Sequence, residues 1–140
     1  MKAQKIYLEH ANITVSNLEE STHFFKTAFP HFKIRGGDNT SREWIHLGDD
    51  NTYVAINQSD GREILNRENY DDLGINHIAF VVEDVSEIAE RLLIAGYKRD
   101  YPSQFEKFRT REYFADKDGN EFEFIQYLSD INSERNSYDD

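Results

Sequence analysis

Cysteine is absent from the 140-residue chain. Its absence excludes disulfides and thiolate chemistry, and it confines any bound metal to nitrogen and oxygen ligands. Basic residues are scarce: 16 Lys and Arg stand against 27 Asp and Glu, a formal net charge of −11. This balance argues against a phosphate-backbone partner, which needs clustered Lys and Arg. It suits solubility and, weakly, cationic ligands or metal ions. No apolar run approaches the ~18 residues of a membrane span, and the N-terminus carries no signal-peptide apolar stretch. The expectation is a cytoplasmic protein with no nucleic-acid or membrane partner.

Apolar residues are present in sufficient number for a core. Hydrophobic residues make up 38% of the chain and aromatics 14%, which supports a packed globule and not a disordered acidic chain. A single domain of this length buries roughly 70% of its unfolded surface.

The chain repeats itself. "EHANITVSNLEE" (9–20) and "NHIAFVVEDVSE" (76–87) each open a strand with a histidine, alternate apolar residues, and then reach Asn or Asp followed three residues later by Glu. Aligning His10 with His77 pairs Ile13 with Phe80, Val15 with Val82, Asn17 with Asp84 and Glu20 with Glu87. Asn17 with Glu20 and Asp84 with Glu87 have the spacing of a helix capping box. Leu18, Phe25, Ala28 and Phe29 then keep helical spacing until Pro30, and Val85, Ile88, Leu92 and Ala95 do so until Gly96. Further on, "REWIHLGDDN" (42–51) matches "REYFADKDGN" (111–120), and "TYVAIN" (52–57) matches "EFEFIQ" (121–126). On that match Val54 is the counterpart of Glu123, and Arg42 that of Arg111.

Each copy reads strand, helix and three strands. The expected fold is α+β, with two tandem βαβββ modules forming a curved mixed sheet with a central cleft, in one domain over 1–140. Module 1 covers about 5–58, a polar linker 59–74, module 2 about 75–128, and a polar tail 129–140, frayed or packed only by Ile131 and Tyr138.

Strand alternation sorts the side chains. Ala11, Ile13 and Val15 share a face opposite His10, Asn12 and Thr14. Ile78, Phe80 and Val82 oppose His77, Ala79 and Val81, while Phe122 and Phe124 oppose Glu121, Glu123, Ile125 and Tyr127. The bulky apolar face packs on the helices, leaving His10, His77 and Glu123 to the cleft. Two imidazoles and one carboxylate form a set that binds a divalent metal on one face and leaves positions open. Taken singly, a strand-start histidine is more often a structural or surface residue and Glu123 a solvated one. The duplication is what favours a metal.

The segments "HANITVSNLEESTHFF", "NHIAFVVEDV" and above all "REYFADKDGNEFEF" resemble the vicinal oxygen chelate superfamily, from about Tyr7 to Tyr127. The superfamily includes glyoxalase I, fosfomycin- and bleomycin-resistance proteins and extradiol dioxygenases. The last segment is similar to its YFxDPDGNxxE pattern, with Lys117 where proline is usual. The resemblance implies paired βαβββ modules and one divalent ion (Fe, Mn, Ni, Co or Zn) on His10, His77 and Glu123. It also implies a homodimer.

Glyoxalase I adds a carboxylate from the last strand of the first module, and "TYVAINQ" (52–58) has no acid. The resemblance therefore implies a metal-dependent enzyme other than a typical glyoxalase I, acting on a small oxygen-bearing substrate by stabilising an oxyanion. Tyr113 stands where fosfomycin-resistance enzymes and dioxygenases place a functional tyrosine. His46 lies on its face as a substitute base or a wall residue. Trp44 and Tyr127 wall the cleft, and Arg111 or Arg42 orients an anionic substrate or pairs with surface carboxylates. His23 and His31 are structural or solvated. The alternative is a non-catalytic drug- or small-molecule-sequestering protein of the bleomycin-resistance type.

Overall fold

The computed structural model describes residues 4–61 and 67–138. Module 1 consists of β1 (His10–Val15), α1 (Leu18–Ala28), β2 (Lys33–Asp38), β3 (Trp44–Gly48) and β4 (Tyr53–Gln58). Module 2 repeats it with β5 (His77–Val81), α2 (Val85–Ile94), β6 (Gln104–Phe105), β7 (Arg109–Ala115) and β8 (Glu121–Tyr127). A short α3 (Asn132–Arg135) in the tail follows. The strands form two four-stranded mixed sheets, in order β1-β4-β3-β2 and β5-β8-β7-β6. In each, the first strand pairs in parallel with the last. The fold is the expected α+β pair of βαβββ modules. Among the described residues no ladder joins the two sheets, so β1 and β5 each stand at an edge.

The helix signals act as their chemistry requires. The Asn17 carboxamide accepts from Glu20 N at 2.9 Å, and the Asp84 carboxylate accepts from Ser86 N and Glu87 N at 2.9 and 3.1 Å. These bonds satisfy helix-start donors that have no partner within the helix. The glutamates of the two capping boxes are used elsewhere. Glu20 accepts from Tyr97 OH and Lys117 Nζ, and Glu87 pairs with Arg91. At the end of α2, Gly96 takes φ +91°, Tyr97 N donates to Leu92 O and Gly96 N to Leu93 O, both at 3.0 Å. This is a Schellman termination, which uses glycine because its left-handed backbone carries no Cβ penalty.

One hydrophobic core spans both modules. The α1 residues Phe24 and Phe25 lie 5.3 and 4.9 Å, ring to ring, from Phe122 of β8, and Phe29 lies 5.1 Å from Phe80 of β5. Phe25 and Phe122 are fully buried, and burying each such side chain contributes about 1.5–3 kcal/mol. Arg91 of α2 donates to the carbonyls of Thr27 and Ala28 at 3.1 and 2.9 Å, satisfying the exposed end of α1 from the other module. On the turn of module 2, Asp118 accepts from Ser16 N (2.8 Å) and from its hydroxyl.

The strand pairings correct the repeat alignment. Glu123 stands opposite Tyr113, and Ala79 lies beside it. In module 1 the residue so placed is Ala55, opposite His46 and beside Asn12. The counterpart of Glu123 is thus Ala55, not Val54, and Trp44, not Arg42, stands for Arg111. The match ran at one offset of 69 throughout, whereas the pairings set His46 against Tyr113 at 67 and, past a turn longer by a residue in the second copy (49–52 and 116–120), Ala55 against Glu123 at 68. The substance is unchanged, because neither Ala55 nor Val54 supplies a carboxylate.

Candidate metal centre

Parallel pairing of β5 with β8 sets His77 opposite Glu121 and Ala79 opposite Glu123. His77 Nε2 then lies 3.0 Å from Glu123 Oε2. That separation is what two neighbouring ligands keep when each bonds one ion at about 2.1 Å, so imidazole and carboxylate fit a divalent metal. Glu123 is buried, 5% exposed, and a carboxylate so placed needs compensation. Tyr113 OH donates to its Oε1 at 2.7 Å, and Arg111 Nη1 lies 3.7 Å from the same oxygen. Burial, then the hydrogen bond to Glu123, pushes the Tyr113 phenol up to about 12, so it remains a donor at neutral pH. Arg111 also donates to Tyr113 OH (3.2 Å) and, with Arg109, to Glu106.

Behind His77 lies a second carboxylate. Tyr70 OH donates to Glu121 Oε1 at 2.5 Å and lies 2.9 Å from His77 Nδ1. Tyr101 packs edge-on against Tyr113 at 5.5 Å. Burial, then the neighbouring Glu121 carboxylate, raises the Asp100 carboxyl.

His10 is elsewhere. On the face of module 1 it stacks on Tyr53 at 4.5 Å and Tyr53 on His46 at 4.8 Å, while Trp44 meets His46 at 4.8 Å with its ring tilted by 53°. Its Nδ1 lies 3.0 Å from Glu9 Oε2. Among the described residues no three His, Asp or Glu side chains converge closely enough to hold an ion. The structure thus brings together His77, Glu123, Tyr113 and Arg111, and leaves His10, His46 and Trp44 as a separate aromatic ladder. Arg42 sits 3.8 Å from Asp60, and Tyr127 lies under the Arg135 guanidinium at 4.2 Å. His23 meets Tyr97 OH at 3.0 Å, and His31 meets Asp49 at 3.5 Å.

Sequence reading passed over Tyr70 and Glu121. Alternation already put Glu121 on the face of Glu123, which was signal enough to nominate it. Tyr70 lies in the polar linker, where no periodicity marks it.

The chain matches the Glyoxalase/Bleomycin resistance protein/Dioxygenase superfamily over residues 7–124, and it belongs to that family. Among solved structures, a glyoxylase/bleomycin resistance protein/dioxygenase domain from Frankia sp. EAN1pec is similar at 20% identity, TM-score 0.71, covering 91% of this chain and 96% of that one. The fosfomycin resistance protein FosX from Listeria monocytogenes is similar at 21% identity and TM-score 0.70, over 94% of this chain and 97% of that one. FosX from Mesorhizobium loti shares 23% identity at TM-score 0.67, over 94% and 98%. No helix among the described residues is long and apolar enough to cross a membrane.

Proposed function

We propose that the chain is a divalent-metal-dependent enzyme of the vicinal oxygen chelate type, acting on a small oxygen-bearing substrate, with each metal centre completed by His10 from a second copy of the chain. The observation that carries this reading is the 3.0 Å approach of His77 Nε2 to the buried carboxylate of Glu123. The open edges of β1 and β5 support the second copy, because unpaired strand edges seek a partner. Leu8 and Ile75, each two residues ahead of its histidine, are 80% and 71% exposed and give that edge an apolar flank. Similarity to two fosfomycin resistance proteins supports a place among the small single-chain members. Ala55 in place of a fourth ligand separates the chain from typical glyoxalase I.

A bound divalent ion supplies a Lewis acid that stabilises negative charge developing on a substrate oxygen. His77 and Glu123 would hold it with His10 of the second copy. Tyr113 keeps its proton and fixes the Glu123 carboxylate by donating to Oε1. Arg111 Nε is buried without a hydrogen-bond partner among the described residues, a donor left over for a substrate oxygen. His46, Trp44 and Tyr53 would arrive with His10 as one wall, since the four rings are in contact along one row.

The test is metal content per chain after incubation with Mn, Fe(II), Ni and Zn, beside His10→Ala, His77→Ala and Glu123→Gln. Near-unit content that collapses in all three variants is expected. Wild-type protein that retains no ion overturns the reading and leaves a metal-free small-molecule binder.

A further inference from the structure

Residues 67–76 form a tight buckle that enters β5. Tyr70 adopts φ +73°, a left-handed backbone that a bulky side chain rarely takes. Its neighbours hold it there. Tyr70 N donates to the Asn76 side chain at 2.8 Å, Glu68 N to Asp72 Oδ2 at 2.8 Å, and Asp72 N to Glu68 O at 3.0 Å. The Arg67 guanidinium donates to Asn69 Oδ1 at 2.9 Å and packs on Gly74, where an added Cβ would sit 2.9 Å from Arg67 Nε. The anchor Asn76 is the residue immediately before His77, so the buckle and the histidine share one frame. A rare backbone conformation held this thoroughly, next to a site of chemistry, is a feature that needs a reason.

The reason is where the Tyr70 hydroxyl arrives. It has one proton, and its short contact of 2.5 Å to Glu121 Oε1 takes that proton. Toward His77 Nδ1, 2.9 Å away, the phenolic oxygen is then an acceptor, which favours a ring hydrogen on Nδ1. Glu121 is itself buried and 3.4 Å from the same nitrogen, which reinforces that choice. With Nδ1 protonated, Nε2 is the nitrogen left for an ion; without one it faces the Glu123 carboxylate at 3.0 Å, which favours a proton there. A ligating imidazole needs its second nitrogen fixed in this way for tautomer and ring orientation.

We propose that Tyr70 and Glu121 are positioning residues that lock His77 as the Nδ1–H tautomer, presenting Nε2 to the site. The role rests on the metal-centre reading above, but its signature exists without metal. The first measurement is long-range 1H–15N correlation NMR of His77 in the full-length metal-free protein, about two pH units above the ordinary imidazole range. The expected result is a protonated Nδ1, whatever proton Glu123 Oε2, 3.0 Å away, draws to Nε2 in the absence of an ion. His77 found mainly as Nε2–H with a bare Nδ1 overturns the proposal.

The second measurement is Mn or Zn affinity by competition titration for Tyr70→Phe and for Tyr70→Phe with Glu121→Gln. Tyr70→Phe leaves Glu121 to hold Nδ1 directly and costs little, whereas the double variant mixes the tautomers and weakens binding about 10–100-fold. Unchanged tautomer and affinity in a folded double variant overturns the proposal. If the double variant does not fold, the wild-type tautomer still decides. A wild-type protein that binds no metal while showing Nδ1–H would refute the metal reading and leave the lock standing.

Discussion

His10 faces Tyr53 across β1 and β4 where His77 faces Glu121 across β5 and β8. One strand pairing thus carries a ring stack in module 1 and a carboxylate in module 2, and only in the second module does the histidine approach carboxylates of the last strand. Among the described residues His10 does not join His77 and Glu123, so on the proposed reading an ion that uses both histidines takes them from two chains. Hybrid dimers of His10→Ala and His77→Ala chains, isolated by two different tags, are therefore expected to hold one ion per dimer. Each parent variant is expected to hold none. Hybrids as empty as their parents would place the missing ligand within the same chain.

Tyr113 lets the buried Glu123 remain oriented. Removing the hydroxyl in Tyr113→Phe takes away the 2.7 Å donor to Oε1 but keeps the ring and its contact with Tyr101. The expected loss is about 1 kcal/mol of folding stability and about tenfold in metal affinity. Urea unfolding and competition titration read the two separately. A variant that binds the ion as tightly as wild type would reduce Tyr113 to a wall of the cleft.

Much of this architecture was legible because it is local. Alternation put Phe122 and Phe124 in the core and Glu121 and Glu123 on the opposite face. Asn17, Asp84 and Gly96 marked helix ends by chemistry that acts within a few residues. Register was not legible, since the match followed the similar Asp-rich turns and set both flanking strands at an offset of 69, two residues too many before the turn and one too many after it. That is how Val54 was read where Ala55 stands. Tyr70 was illegible for a different reason, because its partners Glu121 and His77 are brought to it only by the β5–β8 pairing and the buckle before it. The pairings of Arg111 with Glu106 and of Arg42 with Asp60 are likewise tertiary, and alternation could assign only their faces.

Glu20 ties α1 of module 1 to module 2 and makes the joint sensitive to acid. The hydrogen bond from Lys117, then that from Tyr97, holds its carboxyl below the ordinary value of 4.5. A depressed folded value means that the contribution is complete above 4.5 and is lost as pH falls through the lower folded value. Wild type should therefore exceed Glu20→Gln in urea midpoint at pH 7, and the gap should close in strong acid. The pair is solvent-accessible, so added salt should narrow the gap as well. A gap independent of pH would mean that the amide disturbs packing and not charge.

Two glycines separate the cost of backbone conformation from the cost of space. Gly96 has φ +91° with nothing within 4 Å of an added Cβ, so Gly96→Ala should cost only the left-handed penalty, about 1–2 kcal/mol. At Gly48 a Cβ would stand 2.1 Å from Thr52 O and 2.5 Å from Tyr53 Cα. Neither contact is the end of a flexible side chain. Relief would have to open the turn in which Asp49 N donates to Thr52 O and the Asp49 carboxylate accepts from Asn51 N and Thr52 N. It would also shift Tyr53, and with it the ring on which His10 rests. Gly48→Ala is thus expected to cost about 3 kcal/mol and to reduce metal retention, whereas Gly96→Ala should leave metal retention intact. Unfolding midpoints and metal content of the two variants, taken together, test whether the β3–β4 turn positions His10. Equal stability losses with full metal content in both would show that it does not.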